Sequence, residues 1–199
     1  MSKAEWVKLS PDNGSGNGTV AVSANEHTGR VARDTVITFE AANVDPIERR
    51  VVQAGKPTHV DLEKTQIATN EAKIVSITGT SNAKKLSFTK GAGELNIGIP
   101  TTYSVNGMPV QQGVDIPGDP GATAAYQFVI GITIPENDTT ADKTAQLIVT
   151  DEEGNQTICR ITLSSVEVYV TVMSGDIDLN YKGEPVTIRV ESNTSWRVI

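Results

Sequence analysis

The chain has 199 residues, enough for two sandwich domains of roughly 100 residues each, and its 38% hydrophobic content excludes disorder by composition. A formal net charge of −7 works against binding phosphate backbones, so no nucleic-acid partner is expected. The single cysteine, Cys159, excludes an internal disulfide, and its alternating apolar surroundings predict an unreactive strand position. The N-terminus lacks the apolar region of a signal peptide, and no stretch is long enough to span a membrane, so no membrane partner is expected.

Short strands separated by polar turns are predicted for the first quarter of the chain. Alternating or apolar runs at 6–9, 19–24, 36–40 and 50–53 are separated by loops rich in Gly, Asn, Ser and Pro. Gly55-Lys56-Pro57 is the first plausible boundary. The spacing of these four strands is typical of a β-sandwich.

The middle of the chain continues in the same manner up to residue 165. Strands are predicted at 59–62, 72–77, 85–89 and 95–99, and the Gly- and Pro-rich stretch 107–122 is predicted to be a long exposed loop. The most apolar run, 126–134, is a candidate central strand. Residues 145–150 and 157–163 flank an acidic turn, and Gly154 can supply a positive φ there, which predicts a hairpin.

The last 34 residues are too few for a domain. Strands are predicted at 168–172, 177–179, 186–190 and 195–199. Three or four strands cannot cover their own apolar side, so this segment requires a partner. The chain therefore divides into segments 1–56, 57–165 and 166–199.

The two terminal segments carry a recognisable pattern. The stretch from Gly183 to Trp196, with its alternating strand, Ser192-Asn193 and Trp196, resembles the opening half of the BACON domain, an immunoglobulin-like family common in Bacteroidetes proteins. The stretch from Trp6 to Gly55 resembles the closing half of the same domain. The residues that carry this second resemblance are Leu9-Ser10-Pro11, Gly14, Gly16-Asn17, Thr19-Val20, Val22, Asn25, Arg33, Ile37-Thr38-Phe39 and Gln53-Ala54-Gly55.

The resemblance implies an all-β fold of two immunoglobulin-like β-sandwich modules, one of them assembled from the N- and C-terminal segments. Segment 57–165 is then a middle module, and 166–199 completes 1–56 of the same or of a neighbouring chain. Effective concentration favours completion within one chain, whereas strand complementation would join copies. A slice of a tandem array is the third alternative. The structural and interface candidates are Trp6, Val20, Val22, Phe39, Val186, Ile188, Val190, Trp196, Val198 and Ile199.

Catalytic chemistry is not indicated by the sequence. Two histidines, His27 and His59, are too few for most zinc sites or catalytic triads, and no glycine-rich phosphate loop precedes a helix. The acidic stretch 151–153 and the pair Asp176 and Asp178 are more typical of hairpin tips than of calcium ligands. We expect a non-enzymatic protein with no cofactor and no metal.

Two functions follow from the resemblance. BACON-like modules also occur in crAss-like bacteriophages, which implies a virion protein made in the host cytoplasm, an auxiliary capsid or head-decoration protein with other capsid proteins and copies of itself as partners. The alternative is a carbohydrate-binding or adhesive module, at the cell surface or extracellular if the chain is a piece of a longer protein. An inert spacer is a third possibility. Trp6 and Trp196 fall at family core positions, so the weak glycan-contact candidates are Tyr103, Tyr126, Tyr169 and Tyr181.

Overall fold

A computed structural model describes residues 3–199; Met1 and Ser2, which belong to the first predicted segment, lie outside the described residues. The described chain is built from fifteen strands and one short 3-10 helix, which confirms the all-β fold class. The strands are β1 Val7–Ser10, β2 Ala21–Ala24, β3 Arg33–Ala41, β4 Val44–Gln53, β5 Val60–Leu62, β6 Gln66–Thr69, β7 Lys73–Ser81, β8 Leu86–Lys90, β9 Thr102–Val105, β10 Met108–Gln111, β11 Tyr126–Ile134, β12 Lys143–Asp151, β13 Gln156–Leu163, β14 Val170–Val172 and β15 Val190–Ser192, and the helix is Pro120–Ala122.

The strands from β5 to β13 form a complete two-sheet sandwich, which we call the middle sandwich. One sheet has the order β10-β9-β11-β7-β5 and the other β6-β13-β12-β8. Strand β11 alternates strictly between buried and exposed positions along its whole length, because every second side chain of a strand points into the space between the sheets. Its inward residues are Tyr126, Phe128, Ile130, Ile132 and Ile134, all essentially inaccessible to solvent.

The opposing sheet contributes the other half of this core. Ala145, Leu147 and Val149 of β12 and Cys159 and Ile161 of β13 are buried against the five-stranded sheet. The β12–β13 hairpin confirms the sequence prediction, and Gly154 in its turn has φ 88°. Cys159 occupies the buried strand position that was expected.

Three predictions for the middle segment are wrong in detail. Residues 95–99 form only a single bridge, between Gly98 and Thr133, although Leu95 and Ile97 are buried. The stretch 107–122 is not one exposed loop, because it contains β10 and the 3-10 helix, and Val110 and Ile116 are buried in the core. Strands β6 and β9 were not predicted. Both are only four residues long, and β6 joins β13 in parallel.

The terminal segments form smaller sheets outside the middle sandwich. Strands β1 and β2 pair only with each other, as do β3 with β4 and β14 with β15. In the C-terminal segment the predicted strands at 177–179 and 195–199 are absent, and the one at 186–190 is reduced to β15. The pairing of 166–199 with 1–56, in one chain or between two, therefore stays a prediction.

Candidate functional site: two open module faces

The N-terminal hairpins enclose an open groove of about 400 Å³. Leu9 and Val20 line it from β1 and from the residue before β2, and Ile37 and Phe39 line it from β3. The two hairpins hold together through the fully buried Val7, through the N–H of Ala4 that donates to Thr35 Oγ1 at 3.1 Å, and through the Arg33 guanidinium stacked 4.5 Å from the Trp6 ring centre. One side of this small core has no cover.

The same β-sandwich pattern recurs along the chain with a period of about 110 residues. The β3–β4 hairpin and the β12–β13 hairpin have the same register, shifted by 110 positions. Just before each hairpin, a buried side chain bonds the carbonyl four residues later, at 2.7 Å for His27 with Val31 and 2.9 Å for Asn137 with Ala141. The equivalent strand pairs are Arg33 with Gln53 and Lys143 with Leu163, Ile37 with Arg49 and Leu147 with Cys159, and Lys8 with Ser23 and Gly98 with Thr133.

The C-terminal segment repeats the first part of the middle sandwich in its hydrogen bonds. In each copy a serine hydroxyl donates to a carbonyl of the first strand, the next asparagine accepts the N–H of that same residue, and its amide donates to the carbonyl two residues earlier. Ser81 and Asn82 form this set with His59 and Pro57 at 2.7, 3.0 and 3.3 Å, and Ser192 and Asn193 form it with Tyr169 and Glu167 at 2.9, 3.0 and 2.8 Å.

These correspondences assign each terminal segment to a part of one sandwich. The segment up to residue 55 corresponds to the later strands of the middle sandwich, and the segment from 166 onward corresponds to its first strands. The terminal segments are therefore complementary parts of the same architecture. Each lacks the strands that the other contains.

Exposure shows what is missing. Val20 and Val22 are 37% and 47% exposed, whereas their equivalents Ile130 and Ile132 in the middle sandwich are both 0% exposed. In the C-terminal segment Ile188 is 43% exposed, and its equivalent Ile77 is 2% exposed. Exposed contiguous apolar positions of this kind mark interaction surfaces. These side chains occupy core positions of a sandwich that the described residues leave incomplete.

Each terminal segment joins the middle sandwich through an equivalent backbone hydrogen bond. The N–H of Lys56 donates to the carbonyl of Gly29 at 2.8 Å, and 110 residues later the N–H of Val166 donates to the carbonyl of Thr139 at 3.0 Å. Asn82, which is fully buried, also holds the first joint, because its amide lies 3.2 Å from the carbonyl of Lys56. The joints are thus part of the repeat.

The first joint has an additional lock that involves the stretch 107–122. Arg30 pairs with Asp119, donates from Nη1 to the carbonyl of Asn82 at 2.9 Å, and its backbone N–H donates to the carbonyl of Gly121 at 3.0 Å. A Cβ on Gly121 would lie 2.1 Å from the Asn82 carbonyl oxygen, so this approach requires glycine. The stretch predicted to be an exposed loop therefore anchors the N-terminal segment.

The structure separates the predicted tyrosines into two groups. Tyr103 and Tyr126 are buried in the core, where Tyr103 packs edge-on against Phe88 with ring centres 5.0 Å apart, so neither ring can meet a glycan. Burial raises the pKa of Tyr103 to about 12 and that of Tyr126 further. Tyr169 and Tyr181 are exposed.

The predicted interface residues also divide. Trp6 is half-buried under Arg33, whereas Trp196 is 53% exposed, which contradicts its expected burial within the described residues. Val198 and Ile199 are nearly fully exposed, Val186 is exposed and Val190 is half-buried. Val20, Val22 and Phe39 share the open face described above.

The acidic hairpin tip serves the turn itself. Asp151 Oδ1 accepts the N–H groups of Glu153 and Asn155 at 3.0 and 2.8 Å, and Oδ2 accepts the Asn155 side-chain amide at 2.8 Å. Among residues 3–199, no cluster of three or more His, Cys, Asp or Glu side chains has a metal-binding arrangement. Within the same residues, no helix has the length and apolar character needed to cross a membrane.

Sequence reasoning missed the repeat and the Arg30 joint. The repeat has a visible signal, because Ser81-Asn82 and Ser192-Asn193 each end an alternating strand, at 73–81 and 184–192. The Arg30 joint has none, since Arg30 and Asp119 are far apart in sequence and neither belongs to a motif.

Comparison with known proteins agrees with the geometry of the N-terminal segment. Residues 1–54 match a family model described as "BACON: Putative binding domain, N-terminal". No curated protein matches the chain. Among solved structures, an endo-fucoidan hydrolase from glycoside hydrolase family 107 aligns at 11% identity and a TM-score of 0.29. The alignment covers 83% of this chain and 23% of that protein, so the chain spans about a quarter of its length.

Proposed function

We propose that the chain is a non-enzymatic binding protein whose sandwich modules join end to end, and that it acts in a virion as an auxiliary capsid or head-decoration protein. The observation that carries this proposal is the pair of complementary open faces, with core-type valines and isoleucines exposed at both ends of the chain. Such faces bind other strands, because unpaired edges and apolar strand faces are unstable in water.

The joints support a structural role. Arg30 and Asn82 fix the N-terminal segment to the middle sandwich through an ion pair and several backbone hydrogen bonds. A module held in this way transmits its position to the next one, as an ordered layer on a shell requires. The match of residues 1–54 to a binding-domain family supports binding as the activity, and the capsid location rests on the sequence resemblance.

The virion location is tested on purified particles. Antibodies raised against the chain, together with quantitative mass spectrometry of gradient-purified crAss-like phage particles, should detect the chain in the particle fraction at a fixed ratio to the major capsid protein. Detection only in host membrane or culture-supernatant fractions would contradict the capsid role while leaving the binding role open.

Glycan binding is the second candidate. It is favoured by one observation, the almost fully exposed ring of Tyr181, with Tyr169 also exposed in the same segment. Exposed rings of this kind can stack on sugars. A glycan array probed with the chain should show binding that is lost in Tyr181→Ala and Tyr169→Ala and kept in Tyr103→Phe, whose ring is in the core. An array without signal would remove this candidate.

A further inference from the structure

We infer that residues 184–192 of one copy of the chain pair with the open edge of β2 in a second copy, in the register that β7 and β11 adopt in the middle sandwich. The inference deepens the proposed function and rests on it, because it names a second copy as the partner of the open faces. The repeat described above supplies both the occupant and the register.

Residues 184–192 correspond to β7. The Ser-Asn hydrogen-bond set fixes the end of both segments, so Ser192 is equivalent to Ser81. Counting back along the strand places Ile188 at the position of Ile77 and Val186 at the position of Val75. In the present chain only residues 190–192 of this segment are in a strand, paired with β14, so the rest is available for a ladder.

Strand β2 corresponds to the end of β11. In the middle sandwich β11 has β7 on one side and the Gly98 bridge on the other. In the N-terminal segment β1 occupies the side equivalent to that bridge, and the structure gives β2 no second partner among the described residues. The vacant side of β2 is therefore the one that β7 would fill.

The register follows directly from the equivalent pairs. Ile77 faces Ile130 in the middle sandwich and Val75 faces Ile132. The equivalent contacts between copies place Ile188 opposite Val20 and Val186 opposite Val22. All four side chains are exposed in the single chain, and all would be covered in this arrangement.

The positions of the joints favour a second copy over closure within one chain. The N-terminal segment attaches beside Asn82, at the end of the sandwich where Ser81 pairs with Tyr126. The C-terminal segment attaches beside Thr139, past Ile134 at the opposite end of β11. A nine-residue strand spans roughly 27 Å, so the segments leave from opposite ends and would have to cross the whole sandwich to meet. Head-to-tail contacts between copies require no such crossing and generate rings or filaments.

Cysteine pairs test the partner and the register together. Val20→Cys and Ile188→Cys are made in separate full-length chains, mixed in equal amounts and oxidised with copper phenanthroline. Val22→Cys with Val186→Cys is a second in-register pair. Val20→Cys with Thr187→Cys is the matched control, because a one-residue shift moves the side chain to the other face of the sheet. The native Cys159 is buried in the middle sandwich and should not react.

We expect disulfide-linked dimers from both in-register mixtures, at least tenfold more abundant than from the control mixture. Equal yields from the three mixtures, or no dimer from any, would overturn the inference. A double variant that links only within one chain, while the mixtures give no dimer, would establish closure within the chain instead.

A second measurement uses the unmodified protein. A synthetic peptide covering residues 182–199 should bind the full chain and reduce its average assembly mass, because the peptide fills the edge of β2. A peptide with Ile188→Asp and Val186→Asp should have no effect. If neither peptide changes the assembly mass, β2 is not the acceptor. These tests use the purified chain alone, so their failure is separable from failure of the virion assignment.

Discussion

Asn82 offers the sharpest test of how the modules are held together. Its side chain is fully buried, Oδ1 accepts the His59 N–H at 3.0 Å, and Nδ2 lies 3.2 to 3.3 Å from the carbonyls of Thr28, Lys56 and Pro57. Replacement by alanine leaves a buried N–H and at least one carbonyl without a partner. Each such group costs about 1–3 kcal/mol, so Asn82→Ala should lower the free energy of unfolding by about 3 kcal/mol.

The matched control is Asn193→Ala, which removes the equivalent hydrogen bonds in the C-terminal segment. Those bonds are accessible to water, so the cost should stay below about 1 kcal/mol in the dilute chain. Differential scanning calorimetry measures both variants, and for a domain of this size about 3 kcal/mol corresponds to a Tm decrease of about 12 °C or more. Equal Tm values for Asn82→Ala and wild type would refute the role assigned to Asn82.

Three further outcomes follow from the packing, the joint and the buried tyrosine. Gly121→Ala should destabilise the fold by about 2 kcal/mol or more in urea denaturation, because its Cβ would meet the Asn82 carbonyl oxygen at 2.1 Å, whereas Gly175→Ala, with open space around it, should be neutral. Arg30→Ala should leave the Tm of the middle sandwich nearly unchanged but increase the rate of limited proteolysis between the N-terminal segment and the sandwich, and wild-type rates would argue against this lock. Burial raises the pKa of Tyr103 from 10.0 to about 12, so the stability linked to its proton is present below pH 10 and is lost as the pH rises towards 12. Urea unfolding at pH 9 and 11 should show a smaller alkaline loss in Tyr103→Phe, and an unchanged loss in the exposed-ring control Tyr181→Phe.

Periodicity alone predicts the strongly patterned elements. Strand β11 and the β12–β13 hairpin follow from alternation and from one glycine, because a central strand buried on one face has no alternative use for its apolar side chains. The alternating run 95–99 has the same pattern but bridges only at Gly98, since its residues fill the core as a connection. Alternation reports burial, and burial does not require a ladder.

The site is partly predictable for a related reason. Val20, Val22, Val186 and Ile188 are recognisable as core-type residues that need cover, and the sequence places them in complementary half-modules. Which end of the middle sandwich each segment leaves from depends on Asn82 and Arg30, whose partners are distant in sequence. Three-dimensional contacts of this kind leave no local pattern. The burial of Tyr103 and Tyr126 was missed because position within an alternating strand, and not residue type, decides it.

Sedimentation velocity of the purified chain across a hundredfold concentration range tests the central claim most directly. If complementary open faces join the modules, the wild-type chain should shift from its 21.2 kDa monomer to larger head-to-tail species as concentration rises. Ile188→Asp should remain monomeric, and Thr187→Asp, on the other face of the strand, should assemble like wild type. A wild-type chain that stays a folded monomer at every concentration would contradict the account.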